Sequence, residues 1–463
     1  MNHDELRDWS KRAADWAHAY HATLRDRPVR AQTSPGDTAA HLPEHAPEEP
    51  EPPERIFGDF EAIVPDAMTH WQHPRFFAYF PANAAPASMW AEQLANAIAA
   101  QAMLWQTSPA ATEIEEVMVR WLRDALGLPP HFRGTIHDSA TTATLSAILT
   151  MREIATDWQG NDAGLACQPV LRLYASAETH SSIDKGARIA GIGQANLVKV
   201  PTDATHAMDT AALDAAIRAD LAAGYRPAGV ILATGGTSIG ACDRIAESLA
   251  VAKALGLYTH VDAAWAGSAM ICPEFRPLWD GIDGADSIVF NPHKWLGAQF
   301  DCAVQFLADP VPQVRTLGLR PEYLQTLGHE GADRITNFNE WTVPLGRRFR
   351  ALKLWFTLRA YGLSGLRQRI RNHVAWSREL AEAIDDLPGF EIVTAPVLSL
   401  FTFALQEGDA ATEALLARIN DDGRVYLTQT RHAGRFVIRV QVGQFDCTRE
   451  DVMTVAQVLR ELT

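Results

Sequence analysis

Residues 287–295 read Ser-Ile-Val-Phe-Asn-Pro-His-Lys-Trp, and this stretch sets the fold class. The residues before Asn291 form a short, largely apolar run, which is typical of a strand buried on both faces of a parallel sheet. A lysine, Lys294, follows almost directly. In open α/β sheets, reactive groups gather at the carboxyl ends of the strands, so this lysine lies where a catalytic group is expected.

Apolar runs of the same kind recur along the chain, separated by stretches with helical spacing. They are Leu171–Ala175, Asn196–Val200, Gly229–Ala233, Tyr258–Val261 and Ala303–Leu307. Strands that alternate with crossover helices predict an α/β fold with a mostly parallel sheet, covered by helices on both faces. One helix should begin at Ser108-Pro109 and end at Gly127, because these residue types are favoured at helix starts and helix ends.

The two ends of the chain differ from this middle part. Residues 1–27 have helical spacing, with Trp9, Ala13, Trp16 and Tyr20 on one face, and a Pro/Glu-rich connector follows at 41–54. Because the connector separates this helix from the rest, we expect another surface, such as a partner subunit, to cover its apolar face. After Gly362 a long helix leads into a smaller α+β unit, with strands near Phe390–Val393, Leu398–Ala404 and Phe436–Val442.

Composition limits the class of partner. The net charge of −15 over 463 residues argues against nucleic acid or an anionic membrane, since both favour basic surfaces. Five scattered cysteines without a C-x-x-C pair indicate a reducing compartment, and they predict neither a disulfide framework nor a metal site. The N-terminus is charged and no apolar run reaches membrane-spanning length, so we expect a cytoplasmic protein that does not enter the membrane.

Further polar features stand beside the predicted strands. Asp262 follows one strand, Thr237 lies just after another, and His180 follows a third. Residues 138–142 (Asp-Ser-Ala-Thr-Thr) open a helix whose free N–H groups and dipole suit a phosphate. Singly, each has an ordinary explanation as a turn residue, a helix cap or a solvated side chain.

Together these features meet the needs of one cofactor, pyridoxal 5′-phosphate (PLP). PLP requires an amine for its imine, a carboxylate at its pyridine nitrogen, a stacking partner and a phosphate cup. Lys294, Asp262, His180 and the helix start at 139–142 can fill these roles in that order. A carboxylate beside the ring nitrogen keeps it protonated, because an opposite charge favours the charged form.

Seven motifs carry a resemblance to a known family. They are HWQHPRFFAYFP (70–81), TSPAATEIE (107–115), DSATTATL (138–145), ETHSSIDKGARIAG (178–191), HVDAAWAGSAMICPEFR (260–276), NPHKWLGAQFDC (291–302) and WTVPLGRRFRALKLWF (341–356). In this order they resemble the group II PLP-dependent decarboxylases, in the branch of the aromatic-L-amino-acid decarboxylases. The resemblance implies decarboxylation of an L-amino acid, most closely tryptophan-, DOPA-, tyrosine- or phenylalanine-like, to the amine and CO2.

The resemblance also implies an architecture. It is the PLP-dependent transferase type I fold, with a mostly parallel seven-stranded sheet. The expected parts are an N-terminal dimerisation segment at 1–89, a large PLP-binding domain at 90–365 and a small α+β domain at 366–463. The expected assembly is a homodimer with shared active sites.

Residue roles follow from the same resemblance. Lys294 is expected to be the Schiff-base lysine, Asp262 to pair with the pyridine nitrogen and His180 to stack on the ring. The resemblance adds Tyr323, on a loop within Gly318–Asn339, as the proton donor to Cα; relatives with Phe there make aldehydes. The remaining cofactor-binding positions are Ala140, Thr141, Thr237, Ala264, Asn291 and His293.

The substrate pocket is implied in the same way. Its expected residues are Trp71, Tyr79, Phe80 and Pro81, with Gln101 and Met103 reaching the partner's pocket and Gly346 favouring an indole ring. Alternatives are a decarboxylase for an acidic or diamino acid, an aromatic aldehyde synthase, and a catalytically silent PLP-binding protein. The joint presence of Lys294, Asp262, His180 and Tyr323 argues against the silent protein.

Overall fold

The computed structural model describes residues 1–319, 321–322 and 335–463. Within them the chain divides into two units: Met1–Pro81 together with Ala375–Thr463, and Ala82–Val374. The N-terminal and C-terminal segments, which the sequence predicts to be separate parts, therefore share one unit. In the described part of the chain, no helix has the length and apolar character that a membrane crossing needs.

The N-terminal residues form three helices. They are α1 (His3–Ala22), α2 (Asp37–Ala40) and α3 (Pro53–Ile63). The aromatic stripe of α1 packs on α3, with Trp16 4.8 Å from Phe60 and Trp9 5.6 Å from Phe57 between ring centroids. The expectation that another surface covers this stripe is thus met in part within the chain itself, by the helix that follows the connector.

The unit Ala82–Val374 is built on a seven-stranded sheet. Its strands are β1 (Arg133–His137), β2 (Leu171–Ser176), β3 (Leu197–Val200), β4 (Arg226–Ala233), β5 (Tyr258–Asp262), β6 (Ser287–Phe290) and β7 (Ala303–Leu307). Their order is β1-β7-β6-β5-β4-β2-β3, and β7 runs antiparallel to both its neighbours while the other pairs are parallel. The predicted α/β fold with a mostly parallel sheet is confirmed.

The same unit contains the helices α4 (Pro86–Ile98), α5 (Pro109–Leu126), α6 (Ala140–Ala155), α7 (Gly160–Ala163), α8 (Ser182–Ile189), α9 (Thr210–Ala222), α10 (Ile245–Ala254), α11 (Pro292–Trp295) and α12 (Val311–Leu317). Helices α5, α6, α9 and α10 pack directly on the sheet. Helix α5 has the predicted ends, and Gly127 takes the left-handed conformation (φ +80°) that glycine tolerates. Ser108 is not a side-chain cap, because its hydroxyl donates to the Gln101 carbonyl at 2.9 Å.

Helix α13 (Ala351–Asp385) bends at Gly362, whose φ of +61° lies outside the helical range. The elements beyond it are β8 (Phe390–Val397), β9 (Leu400–Leu405), α14 (Asp409–Asp422), β10 (Thr428–His432), β11 (Arg435–Gln441) and α15 (Arg449–Leu462). The strands form a four-stranded antiparallel sheet with the order β10-β11-β9-β8. The three predicted strands are present, and their apolar faces pack with α14 and α15 into one core.

Candidate active site

The predicted cofactor residues follow the carboxyl ends of parallel strands. Asp262 is the last residue of β5, the turn with Lys294 follows β6, and Thr237 lies in the loop after β4. His180 follows β2, and helix α6 begins with Ala140 after β1. Because parallel strands end at one edge of the sheet, these groups are brought together there.

Short hydrogen bonds tie the ends of β5 and β6 to each other. Asp262 is buried, and its Oδ1 accepts from the Ala264 N–H at 3.0 Å. The Asn291 N–H donates to the Ala264 carbonyl at 2.7 Å, and the Ala263 N–H to the Val289 carbonyl at 2.9 Å. The Asp262 carboxylate is therefore held in register with the lysine turn.

His180 has a defined tautomer. The Ser182 N–H donates to Nδ1 at 3.1 Å, and the Ser182 hydroxyl lies 2.8 Å from the same nitrogen. An amide can only donate, so Nδ1 is the acceptor and the proton of the neutral ring is on Nε2. Loss of hydration lowers the pKa of His180, Asp262 opposes this shift and Lys294 adds to it. All three groups thus act within one site, where His180 is neutral near pH 7.

The start of α6 is a candidate anion site next to a small apolar cluster. The first N–H groups of a helix have no carbonyl of their own helix to bond, so they are available to an anion. Here the Thr142 N–H donates to the Ser139 hydroxyl at 3.3 Å. Nearby, Ala140, Ala143 and Val289 form a small apolar cluster against which Ala264 packs. A flat ring that bears a phosphate fits both features.

Two buried polar atoms support a polar ligand at this edge. Thr234 Oγ1 and Asn291 Oδ1 have no hydrogen-bond partner within residues 1–319, 321–322 and 335–463. Leaving such an atom unpaired costs about 1–3 kcal/mol, which a ligand can recover. With the Lys294 amine and the Asp262 carboxylate, the residues present fit the PLP that the sequence predicts.

His293 holds the lysine turn against β7. Its Nδ1 accepts from the Cys302 N–H at 2.9 Å, and its own N–H donates to the Cys302 carbonyl at 3.3 Å. Burial, with the nearby Lys294 and Lys353 cations, lowers the pKa of His293 to about 3. The ring is therefore neutral, and Nδ1 is used within the protein rather than for a ligand.

The predicted substrate residues fall in both units. In the first unit, Trp71 and Tyr79 are partly exposed and stack at 5.8 Å between ring centroids, whereas Phe80 and Pro81 are buried. The Arg439 guanidinium lies 4.7 Å from the Phe80 ring, and burial lowers its pKa to about 9. Arg439 is therefore a buried residue of β11.

In the second unit, Gln101 and Gly346 lie side by side. Gln101 Oε1 accepts from the Arg347 N–H at 2.7 Å, and a Cβ on Gly346 would lie 3.2 Å from Gln101 Nε2. The Met103 carbonyl accepts from the Asn339 N–H at 3.1 Å. The predicted proton donor Tyr323 lies outside the described residues.

Sequence reasoning missed two features of this unit. Asn83 contacts the lysine turn, and its only signal was its place just after the motif at 70–81. The second feature is the buried ion pair of Glu115 with Arg347, at 2.6 Å; Arg347 follows Gly346 in the chain, and its N–H donates to Gln101. All three residues stand within or beside quoted motifs, but their partners are far away in sequence.

Known proteins resemble the chain over its whole length. A family model described as pyridoxal-dependent decarboxylase conserved domain matches residues 35–406. The aromatic-L-amino-acid decarboxylase of Cavia porcellus is 38% identical, over 100% of this chain and 98% of that protein. The phenylacetaldehyde synthase of Arabidopsis thaliana is 35% identical, over 96% of this chain and 92% of that protein. The solved structure of Oryza sativa TDC with PLP and tryptamine has a TM-score of 0.96 and 32% identity, over 100% of this chain and 98% of that chain.

Proposed function

Because the chain belongs to the pyridoxal-dependent decarboxylase family, we propose that it converts an aromatic L-amino acid to the corresponding amine and CO2. One observation carries the proposal: Asp262 at the end of β5 and Lys294 just after β6 follow paired strands at the carboxyl edge of the sheet, and both shift the pKa of His180. The cofactor of this family is PLP, and the residues at that edge fit it.

Lys294 supplies the amine that holds the cofactor and gives way to the amine of the substrate. When bound, PLP supplies a protonated pyridine ring that takes up the electrons of the bond broken at Cα. Asp262 keeps the proton on the ring nitrogen, since a carboxylate at contact distance favours the charged form. Ala140, Thr141 and Asn291 would hold the phosphate, and Thr237, Ala264 and His293 would be further neighbours of the cofactor.

Two side chains handle protons in this proposal. His180 is neutral near pH 7 and donates from Nε2, because Nδ1 is engaged by Ser182. Its stacking place and its Nε2–H suit a contact with the substrate carboxylate before CO2 leaves. Tyr323 delivers the proton that Cα needs afterwards. The product is then an amine rather than an aldehyde.

An aromatic substrate is supported by the relatives and by the aromatic side chains at Trp71 and Tyr79. Exposed rings of this kind offer large apolar contact area to another ring. Gly346, beside Gln101, leaves room for an indole. The substrate residues that we propose are therefore Trp71, Tyr79, Phe80, Pro81 and Gly346, with Gln101 and Met103 reaching the partner's pocket.

We further propose a cytoplasmic homodimer with shared active sites and the three parts 1–89, 90–365 and 366–463. Helix α4 supports the dimer, because Trp90, Leu94 and Ile98 repeat on one face and are 59%, 40% and 63% exposed. All five cysteines are free thiols, in keeping with a reducing compartment. Light scattering should give twice the chain mass of 50.8 kDa; a monomer would refute the dimer.

The function is tested by incubating the PLP-loaded enzyme with each amino acid and identifying released amines by mass. We expect an aromatic amine and CO2 in equal amounts. Lys294→Ala should lose both turnover and the visible absorbance of the bound cofactor. Release of a non-aromatic amine as the main product, or an active Lys294→Ala variant, would contradict the proposal.

A further inference from the structure

The lysine turn is short, and its carbonyls need donors from elsewhere. Helix α11 (Pro292–Trp295) is a single turn, so most of its carbonyls cannot accept a hydrogen bond from an N–H group of the same helix. The peptide group before the Lys294 Cα contains the His293 carbonyl, and the peptide group after it contains the Lys294 carbonyl. A buried carbonyl without a donor is unfavourable, so these two groups require partners.

Both carbonyls are bonded by one residue, Asn83. Its backbone N–H donates to the His293 carbonyl at 2.9 Å, and its side-chain Nδ2 donates to the Lys294 carbonyl at 2.6 Å. Asn83 is 1% exposed, so water does not compete for these bonds. Because one bond reaches each peptide group that flanks Cα, Asn83 fixes both backbone torsions of Lys294.

Neighbouring residues hold the same loop further downstream. The Ala85 N–H donates to the Gly297 carbonyl at 2.9 Å, and the Ser88 hydroxyl accepts from the Gln299 N–H at 2.7 Å. Ser88 is as buried as Asn83, and its partner lies five residues beyond Lys294. It therefore offers a matched control, with a side-chain bond to the same loop that does not touch the lysine.

We propose that Asn83 is a positioning residue for Lys294, which aims the amine at the reacting atoms by holding the two peptide groups around its Cα. The inference rests on the proposed function, in which Lys294 holds the cofactor and gives way to the substrate. A displacement of about 1 Å at a reacting group can cost about 100-fold in rate. We expect the side chain of Asn83 to act on kcat more than on KM, because its Nδ2 bonds the backbone of the lysine.

The test compares holoenzymes of Asn83→Ala, Asn83→Asp and Ser88→Ala. Asn83→Ala should lower kcat by about 10- to 100-fold with KM little changed, and move the pH midpoint of the visible cofactor band. Asn83→Asp, which keeps the side-chain shape, should be worse, since its carboxylate oxygen faces the Lys294 carbonyl. Ser88→Ala should keep the wild-type kcat and pH midpoint. If Asn83→Ala and Asn83→Asp behave like Ser88→Ala, the inference is wrong.

A chemical label separates this outcome from a failure of the proposed function. Borohydride reduction of the PLP-loaded protein followed by peptide mapping should place the cofactor on Lys294 in the wild type. A wild-type protein labelled elsewhere, or not at all, overturns the proposed function. Labelling of Lys294 at the same rate in wild type and Asn83→Ala, with the same pH midpoint, overturns only the role of Asn83.

Discussion

Tyr323 is the residue that we propose as the proton donor to Cα. A phenol can deliver a proton to Cα, whereas a phenyl ring cannot. We expect Tyr323→Phe to lower amine formation by about 100-fold or more, as for the loss of a general acid. In air we also expect some aldehyde, formed by oxidative deamination with dissolved O2 as the oxidant and with release of ammonia and hydrogen peroxide. Amine and aldehyde are quantified by mass, and the retained visible band shows that cofactor binding is intact. Unchanged amine output would refute the proton-donor role.

Gly346 bears on the choice of substrate. A Cβ there would lie 3.2 Å from Gln101 Nε2, and Gln101 is held by the Arg347 N–H. Gly346→Ser should therefore push the amide into the pocket and lower kcat/KM for tryptophan relative to tyrosine by about tenfold.

The control is Gly346→Ser combined with Gln101→Ala, which removes the crowded amide and should restore the wild-type ratio of kcat/KM for tryptophan to that for tyrosine. The ratio of the two kcat/KM values is the measurement. An unchanged ratio in Gly346→Ser would place this pair outside the substrate pocket.

The site was predictable where chemistry interrupts an apolar pattern. Lys294, Asp262 and His180 stand at strand ends whose preceding residues are buried, so a polar side chain there is conspicuous. Asn83 was not predictable, because its partners are backbone carbonyls of residues 293 and 294, and backbone atoms leave no mark on a sequence pattern. Contacts of that kind depend on the three-dimensional path of the loop.

The strands show the same division. Those with continuous apolar runs were predicted, whereas β1 and β10 were not. Strand β1 reads Arg-Gly-Thr-Ile-His, and two of its buried side chains bond to other elements: Thr135 donates to Glu115 at 2.9 Å, and His137 Nε2 contacts Gln305 at 2.8 Å. Strand β10 reads Thr-Gln-Thr-Arg-His and lies at a sheet edge, where polar residues face solvent.

The buried ion pair of Glu115 with Arg347 leads to a prediction about stability. Glu115 Oε1 accepts from the Arg347 guanidinium at 2.6 Å and from the Ile136 N–H at 2.8 Å, and both side chains of the ion pair are 3% exposed. Glu115→Ala leaves a buried cation without its anion, so we expect the free energy of unfolding to fall by about 3–5 kcal/mol.

Chemical denaturation measures this loss. The control is Asp214→Ala, which removes an exposed partner of Arg218 on helix α9 and should cost less than about 1 kcal/mol. A cost for Glu115→Ala as small as that of the control would show that the buried pair does not join α5, β1 and the 346–347 loop.

The whole molecule carries several histidines that burial keeps neutral. Burial is the main cause in each case, and the lowered pKa values are about 4 for His137 and His260 and about 3 for His73, His293 and His373. An unfolded histidine titrates near pH 6.5, so below that pH the unfolded chain binds more protons than the folded chain. The contribution of these buried, neutral histidines to the free energy of unfolding is fully present above about pH 6.5. It is lost as the pH falls towards their folded-state pKa values of about 4 and about 3.

One buried acid works in the opposite direction. Burial raises the pKa of Asp243 from 3.8 to about 6, so its contribution to stability increases as the pH falls through 6. A single acid does not offset the histidines together, because each of them can cost up to about 1.4 kcal/mol per pH unit.

We therefore expect the melting temperature of the holoenzyme to fall steadily between pH 7 and pH 5. His137→Asn should make that decline shallower, whereas His45→Asn, on the exposed connector, should leave it as in the wild type. Melting temperatures that stay level over this range would show that the buried histidines are not neutral in the folded chain.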